Sequence, residues 1–191
     1  MKRLLVFLTL AAFAVAPRAA AQGAQPVSAC GALLPHAPVL VGMTDTAAYF
    51  PKLKGLRVAV LAQPDWHDAE AFRAMGRPRL GVFIGAGNLD SMVAHYTAAK
   101  RRRSEDFYSP GKRSGCRPDR AAIVYCNRAR EAFGPDMPII LGSLEASLRR
   151  FAHYDYWDDS VRRAILFDAP ADLLVYGMGE AATIEIAHRL K

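Results

Sequence analysis

Four short apolar runs constrain this chain more than any other feature: LRVAVLA (56–62), RLGVFIGA (79–86), MPIILGS (137–143) and DLLVYGMG (172–179). Each is continuous rather than alternating with polar residues, and rich in β-branched side chains. A strand buried on both faces of a parallel sheet has this pattern. Helical spacing separates the runs. In GNLDSMVAHYTAAK, Leu89, Met92, Val93 and Tyr96 recur at three and four residues, which predicts a helix with all four on one face. RPDRAAIVYCNRAREAFG predicts a second helix, with Pro118 and Asp119 in its first turn and Gly134 as its stop, and GEAATIEIAHRL predicts a third. Alternating strand and helix implies right-handed βαβ units in an open, mainly parallel α/β sheet. With 191 residues and 52% apolar composition, the chain has enough material for one such core.

The sheet pattern begins only at Leu56. Residues 1 to 21 read instead as a targeting segment: MKR is a positive start, LLVFLTLAAFAVA an apolar run, and Ala19-Ala20-Ala21 a small-residue cleavage pattern before Gln22. The run is too short for the roughly 20 residues that span a bilayer, and Pro17 and Arg18 interrupt it, so no membrane span is expected. Residues 22 to 55 read as a linker, with one strand at APVLVGM. The domain is then expected over 56 to 191. The net charge of +7 includes Lys2, Arg3 and Arg18, and without them +4 remains, which permits an anionic partner without demanding one. Cys30, Cys116 and Cys126 match neither a zinc spacing nor a C-x-x-C pair, so no metal is expected through cysteine.

Ligands of open α/β sheets bind beyond the carboxyl ends of the strands. Those ends read AQPDWHD, GAGNLDS, LGSLEAS and YGMGEAA, and place Asp65, Asn88, Asp90, Glu145 and Glu180 at that edge. The same residue types also serve the tight turns and helix caps that such junctions need with or without a ligand. A dinucleotide site is rejected, because Asp90 stands where G-x-G-x-x-G requires its third glycine. Asp65-Trp66-His67 begins a D-x-H-x-x-G cobalamin pattern, but Glu70 replaces the glycine, so His67 is read as a turn histidine.

Two stretches concentrate charge. Residues 100 to 120 carry eight cations against three carboxylates. Arg101, Arg102, Arg103, Lys112 and Arg113, with Phe107 and Tyr108 among them, suit an RNA or other anion contact through phosphate pairing and stacking. The alternative is an ordered insertion whose arginines pair with nearby carboxylates. SLEASLRRFAHYDYWDDSVRRAILFD follows the third strand. Leu144, Leu148 and Phe151 share a helical face, and a second short helix is expected near Asp158 with Val161 and Ile165 buried one turn apart. HYDYWDD would then be a corner tied by Arg149, Arg150, Arg162 and Arg163 to Asp155, Asp158 and Asp159. The functional reading has those arginines holding an anionic ligand beside Glu145 and His153.

From Arg57 to Leu190 the sequence resembles the N-terminal region of the YgiQ family of radical SAM proteins, through AQPDWHD, GNLDSMVAHYTA, YSPG, RPDRA, NRAREAF, EASLRRFAHYDYWDDSVRRAIL and DLLVYGMGE in this order. The resemblance implies a Rossmann-like, cobalamin-binding-domain-like fold, with Ser143 where the family has a glycine. It implies a 4Fe-4S cluster and S-adenosylmethionine for the full-length proteins, the cluster held by C-x-x-x-C-x-x-C. No such motif occurs in this chain, and none of its cysteines corresponds to it. The chain is therefore expected to bind neither cofactor alone and to be an accessory N-terminal domain whose partner is a C-terminal radical SAM barrel. Residues 1 to 50 look unrelated to the family, so the sheet is expected to be incomplete and the product a fragment or misjoined. Family resemblance points to the cytoplasm, and the leading segment, if used, to export.

Overall fold

A computed structural model describes residues 3–9, 40–45, 56–87 and 89–191. Ala19–Ala21, Cys30 and Asn88, singled out above, lie outside the described residues. The main sheet has the order β2-β3-β1-β4-β5-β8, from strands β1 (Arg3–Thr9), β2 (Leu40–Asp45), β3 (Leu56–Leu61), β4 (Val82–Gly85), β5 (Ile139–Gly142) and β8 (Leu173–Leu174). All neighbours are parallel except β2, which runs antiparallel to β3 along one edge. Each of the four apolar runs supplies a strand, and APVLVGM leads into β2. The class is an open, mainly parallel α/β sheet.

Leaving aside β2, the parallel strands run β3-β1-β4-β5-β8, the doubly wound order with its reversal between β1 and β4. Arg3–Thr9, part of the run read as a targeting segment, pairs in register with Leu56–Val60 on one side and Val82–Gly85 on the other. Cleavage before Gln22 would remove the strand that joins β3 to β4. The two uses of this segment are mutually exclusive in one molecule.

The continuous runs are buried on both faces, as their composition requires. Ala59, Leu61, Val82, Ile84, Ile139 and Leu141 face α3 (Ala121–Phe133) and α1 (Glu70–Arg73), packing with Phe72, Tyr125 and Phe133. Their odd-even neighbours Val58, Phe83 and Ile140 face the opposite side, against Ala187 of α5 (Glu180–Arg189). Three layers result, and the period of two along each strand divides them.

Three local expectations change. The helix of GNLDSMVAHYTAAK is only α2 (Ser91–His95), and Val93 points to solvent while Met92 and Ala94 are buried. Pro118 and Asp119 precede α3 rather than opening it, and the helix begins after Arg120, which takes a left-handed φ of 50°. HYDYWDD is no corner between helices: His153–Asp155 (β6) and Ser160–Arg162 (β7) form an antiparallel hairpin. Val161 is 76% exposed on that hairpin, and Ile165 alone is buried, in a single 3-10 turn. The strand ends at Arg162 and Ile165 lies beyond it in that turn, so the two residues belong to different elements and share no face.

Candidate functional site

The carboxyl ends of β4 and β5 meet where α4 (Ser143–Leu148) starts directly after β5. Ser143 has a φ of 70°, the left-handed region that glycine enters freely. Its Oγ accepts from the Ala86 N–H at 3.0 Å, which ties the two strand ends together. Across this join, a Cβ on Gly85 would lie 3.1 Å from that of Ser143, so the glycine permits the approach.

Glu145 is the centre of this edge, fully buried on the inner side of α4. One carboxylate oxygen accepts from the Ala122 N–H at 3.2 Å, the other from the Ser91 hydroxyl at 2.8 Å and the Ser91 N–H at 3.2 Å. The Ser91 hydroxyl in turn accepts from the Ala121 N–H at 3.0 Å. The first turn of α3, whose N-cap Arg120 supplies no side-chain cap, is thus capped from α2 and α4. Burial, reinforced by the Asp90 carboxylate, raises the pKa of Glu145 above its ordinary 4.5. Asp90 caps α2 through the Met92 and Val93 N–H groups and forms an ion pair with Arg149.

A second cluster adjoins it. Asp119 meets His95 Nδ1 at 2.6 Å and accepts from the Tyr96 hydroxyl at 2.6 Å, while Arg120 pairs with Asp155 at 2.9 Å and Asp158 at 2.7 Å. Burial opposes ionisation of Asp119 and Asp155. Tyr96 and His95 outweigh it at Asp119, and Arg120 outweighs it at Asp155, so both carboxyls stay below 3.8. Arg162 extends this network to Asp158 and Asp168, and Arg163 joins Asp168 at 2.9 Å.

The predicted edge residues therefore divide. Asp90, Glu145 and Arg149 come together, but their partners are backbone and side chains of this chain. Asp65 is taken by His67, at 2.6 Å to Nδ1. His153 Nδ1 lies 3.1 Å from the Phe151 carbonyl, and Glu180 is exposed at the start of α5. Arg150 is not tied to the hairpin aspartates. Its guanidinium lies over the rings of Phe151 and Tyr176, at 5.0 and 5.2 Å. Ser91, His95, Tyr96, Asp119 and Arg120 were not anticipated. Their contacts span 23 to 54 residues of sequence, and only the i,i+4 spacing of Ser91 and His95 hinted at a shared face.

In the basic loop, the ion pairs use Arg117 and Arg120. Arg117 grips the buried Asp106 with both Nε and Nη2, at 2.9 and 2.7 Å. Arg101, Arg102, Arg103, Lys112 and Arg113 are exposed. Arg103 turns back to the Val93 and Tyr96 carbonyls, Arg102 lies over Tyr96, and Lys112 over Phe107.

The described residues do not fit an iron-sulfur cluster. Among the described residues no group of three or more His, Cys, Asp or Glu could hold a metal ion. Cys116 is disulfide-bonded, and Cys126 is buried, with burial pushing its thiol pKa up. A cluster needs accessible thiolates, which neither Cys116 nor Cys126 supplies. Among the described residues no helix is long and apolar enough to cross a membrane.

With a three-layer sheet and a carboxyl edge of this build, the class of protein is set by comparison. The profile described as Radical SAM N-terminal matches residues 47–191, and the chain belongs to that family. It is similar to UPF0313 proteins: 58% identical over 138 residues to one from Clostridium botulinum (strain 657 / Type Ba4), 56% over 137 to one from Geobacter sulfurreducens, and 59% over 137 to one from Methanocella arvoryzae. Each match covers 72% of this chain and 21%, 22% and 23% of the relative, respectively. The chain thus spans about a fifth of the length of the curated relatives it matches. No solved structure matches it. The resemblance drawn from AQPDWHD, YDYWDD and their companions is met by these relatives.

Proposed function

We propose that this chain is the accessory N-terminal domain of a radical SAM iron-sulfur enzyme, not catalytic by itself, with its strand-edge loops forming one wall of the active site of the full-length protein. The family match over residues 47–191 carries this reading. The closed hydrogen bonding of Asp90, Glu145 and Arg149 supports it, because these groups brace the edge instead of presenting free catalytic functions. The cluster and S-adenosylmethionine belong to the remainder of the longer relatives, whose cofactor would perform the radical step.

Anaerobic reconstitution with iron and sulfide tests this. The full-length Geobacter sulfurreducens relative should take up a cluster and cleave S-adenosylmethionine, and the present chain should do neither. Stoichiometric cluster on this chain alone, or no cleavage by the full-length relative, would overturn the reading.

A second reading, an anion- or RNA-binding module, draws on the exposed Arg101, Arg102, Lys112 and Arg113 beside the exposed ring of Phe107. It expects salt-dependent RNA binding that falls when Arg101, Arg102 and Arg103 are neutralised together.

A further inference from the structure

Among the described residues, all but three of the exposed large apolar side chains, Val93, Phe107 and Tyr108, fall between Leu144 and Met178. Five of them belong to one surface. Leu144 and Leu148 share the outer face of α4 at i,i+4, opposite the buried Glu145 and Ala146. Phe151 follows the helix, and the guanidinium of Arg150 bridges it to Tyr176. The Gly177 N–H donates to Ser147 Oγ at 3.0 Å, which holds the loop carrying Tyr176 and Met178 against α4. Leu148, Phe151, Tyr176 and Met178 are 59%, 69%, 65% and 87% exposed. An apolar, aromatic face gathered by one hydrogen bond and a shared guanidinium is not scattered surface hydrophobicity, and contiguous patches of this kind mark interaction sites.

Its position names the occupant. α4 follows β5 and the 175–179 loop follows β8, and these strands are parallel neighbours, so both lie at the carboxyl edge of the sheet. The matched family is an N-terminal region, and the relatives extend for about four-fifths of their length outside the match. We infer that the face formed by Leu144, Leu148, Phe151, Tyr176 and Met178 is the docking surface for the polypeptide that follows this region in the longer relatives. The partner surface is apolar, with an acceptor for Arg150. This rests on the accessory-domain reading and specifies which surface of the domain is covered.

Hydroxyl-radical footprinting tests it, with this chain compared to the full-length Geobacter sulfurreducens relative carrying residues 143–179 of this chain in place of its own matching stretch. Oxidation of Met178 should be at least fivefold slower in the full-length protein. Met137, 3% exposed, is the control for folding of this chain and should stay slow there. Phe151→Ser in the full-length protein should restore at least threefold of the Met178 oxidation. Equal Met178 rates in the two proteins, or protection in this chain alone through a dimer seen by light scattering, would overturn the proposal. The cluster content of the same full-length protein separates the two readings. Cluster with an unprotected Met178 sinks the docking surface alone, whereas a protected Met178 without cluster or cleavage supports the surface and sinks the enzyme reading.

Discussion

The two sides of α4 differ in kind. Inward, Glu145 meets three donors and the neighbouring Asp90–Arg149 pair is closed within the chain, whereas outward, Leu144 and Leu148 stand in water beside Phe151, Tyr176 and Met178. A ligand site for a charged group leaves polar atoms waiting, and an interface leaves apolar ones uncovered. Asp90, Glu145 and Arg149 are partnered within the chain, while the buried Nε2 of His95 in the adjoining cluster has no partner. The outer face of α4 lacks apolar cover, which points to another polypeptide surface.

Substitutions can break this contrast, and the largest effect belongs to the buried charges. Arg117→Ala strands Asp106 in the interior, and loss of one partner of a buried pair costs about 3–5 kcal/mol, read as a drop in the urea midpoint. Glu145→Ala comes next. It leaves the Ser91 and Ala122 N–H groups without acceptors, and an unsatisfied buried donor costs about 1–3 kcal/mol.

Acid should act on the same half. At Asp106, burial opposes ionisation but hydrogen bonds from Arg117 and Ser109 outweigh it, so its folded pKa lies below 3.8. Asp119 and Asp155 are shifted the same way. A carboxyl depressed in the folded state contributes stability above its unfolded pKa and loses it as pH falls through the folded one. Stability of the chain should therefore decline below about pH 4, and Asp106→Asn should flatten that decline. Glu145, raised above 4.5, works in the opposite sense and costs stability as pH rises through its folded value. The smallest effect is expected on the outer face: Leu148→Ser in the isolated chain should shift stability by no more than about 0.5 kcal/mol.

Much of this architecture was legible in the sequence, and the reason is physical. Continuous runs such as MPIILGS can satisfy both of their faces only inside a layered sheet, so strands and layers followed from composition. The hairpin of β6 and β7 was not legible. HYDYWDDSVRR has arginines and aspartates at spacings that suit a helix as well as a strand pair, and Arg120, far outside the stretch, decides between them by gripping Asp155 and Asp158. The edge residues Asp90, Glu145 and Arg149 were found by position, but their partners were not. Ser91 and the first amides of α3 are contacts of tertiary structure with no local pattern. Nor did composition separate the inner from the outer residues of α4, because Glu145, the charged residue, is the buried one.

The most direct test of the contrast is urea unfolding of the Leu148→Ser, Phe151→Ser double variant in two settings, this chain alone and the full-length relative carrying residues 143–179. The account predicts little change in the isolated chain and a loss of roughly 1.5–3 kcal/mol per side chain in the full-length protein, where burial removes these groups from water. An equal loss in both would mean that the face is already packed within this chain, and no loss in either would mean that nothing covers it.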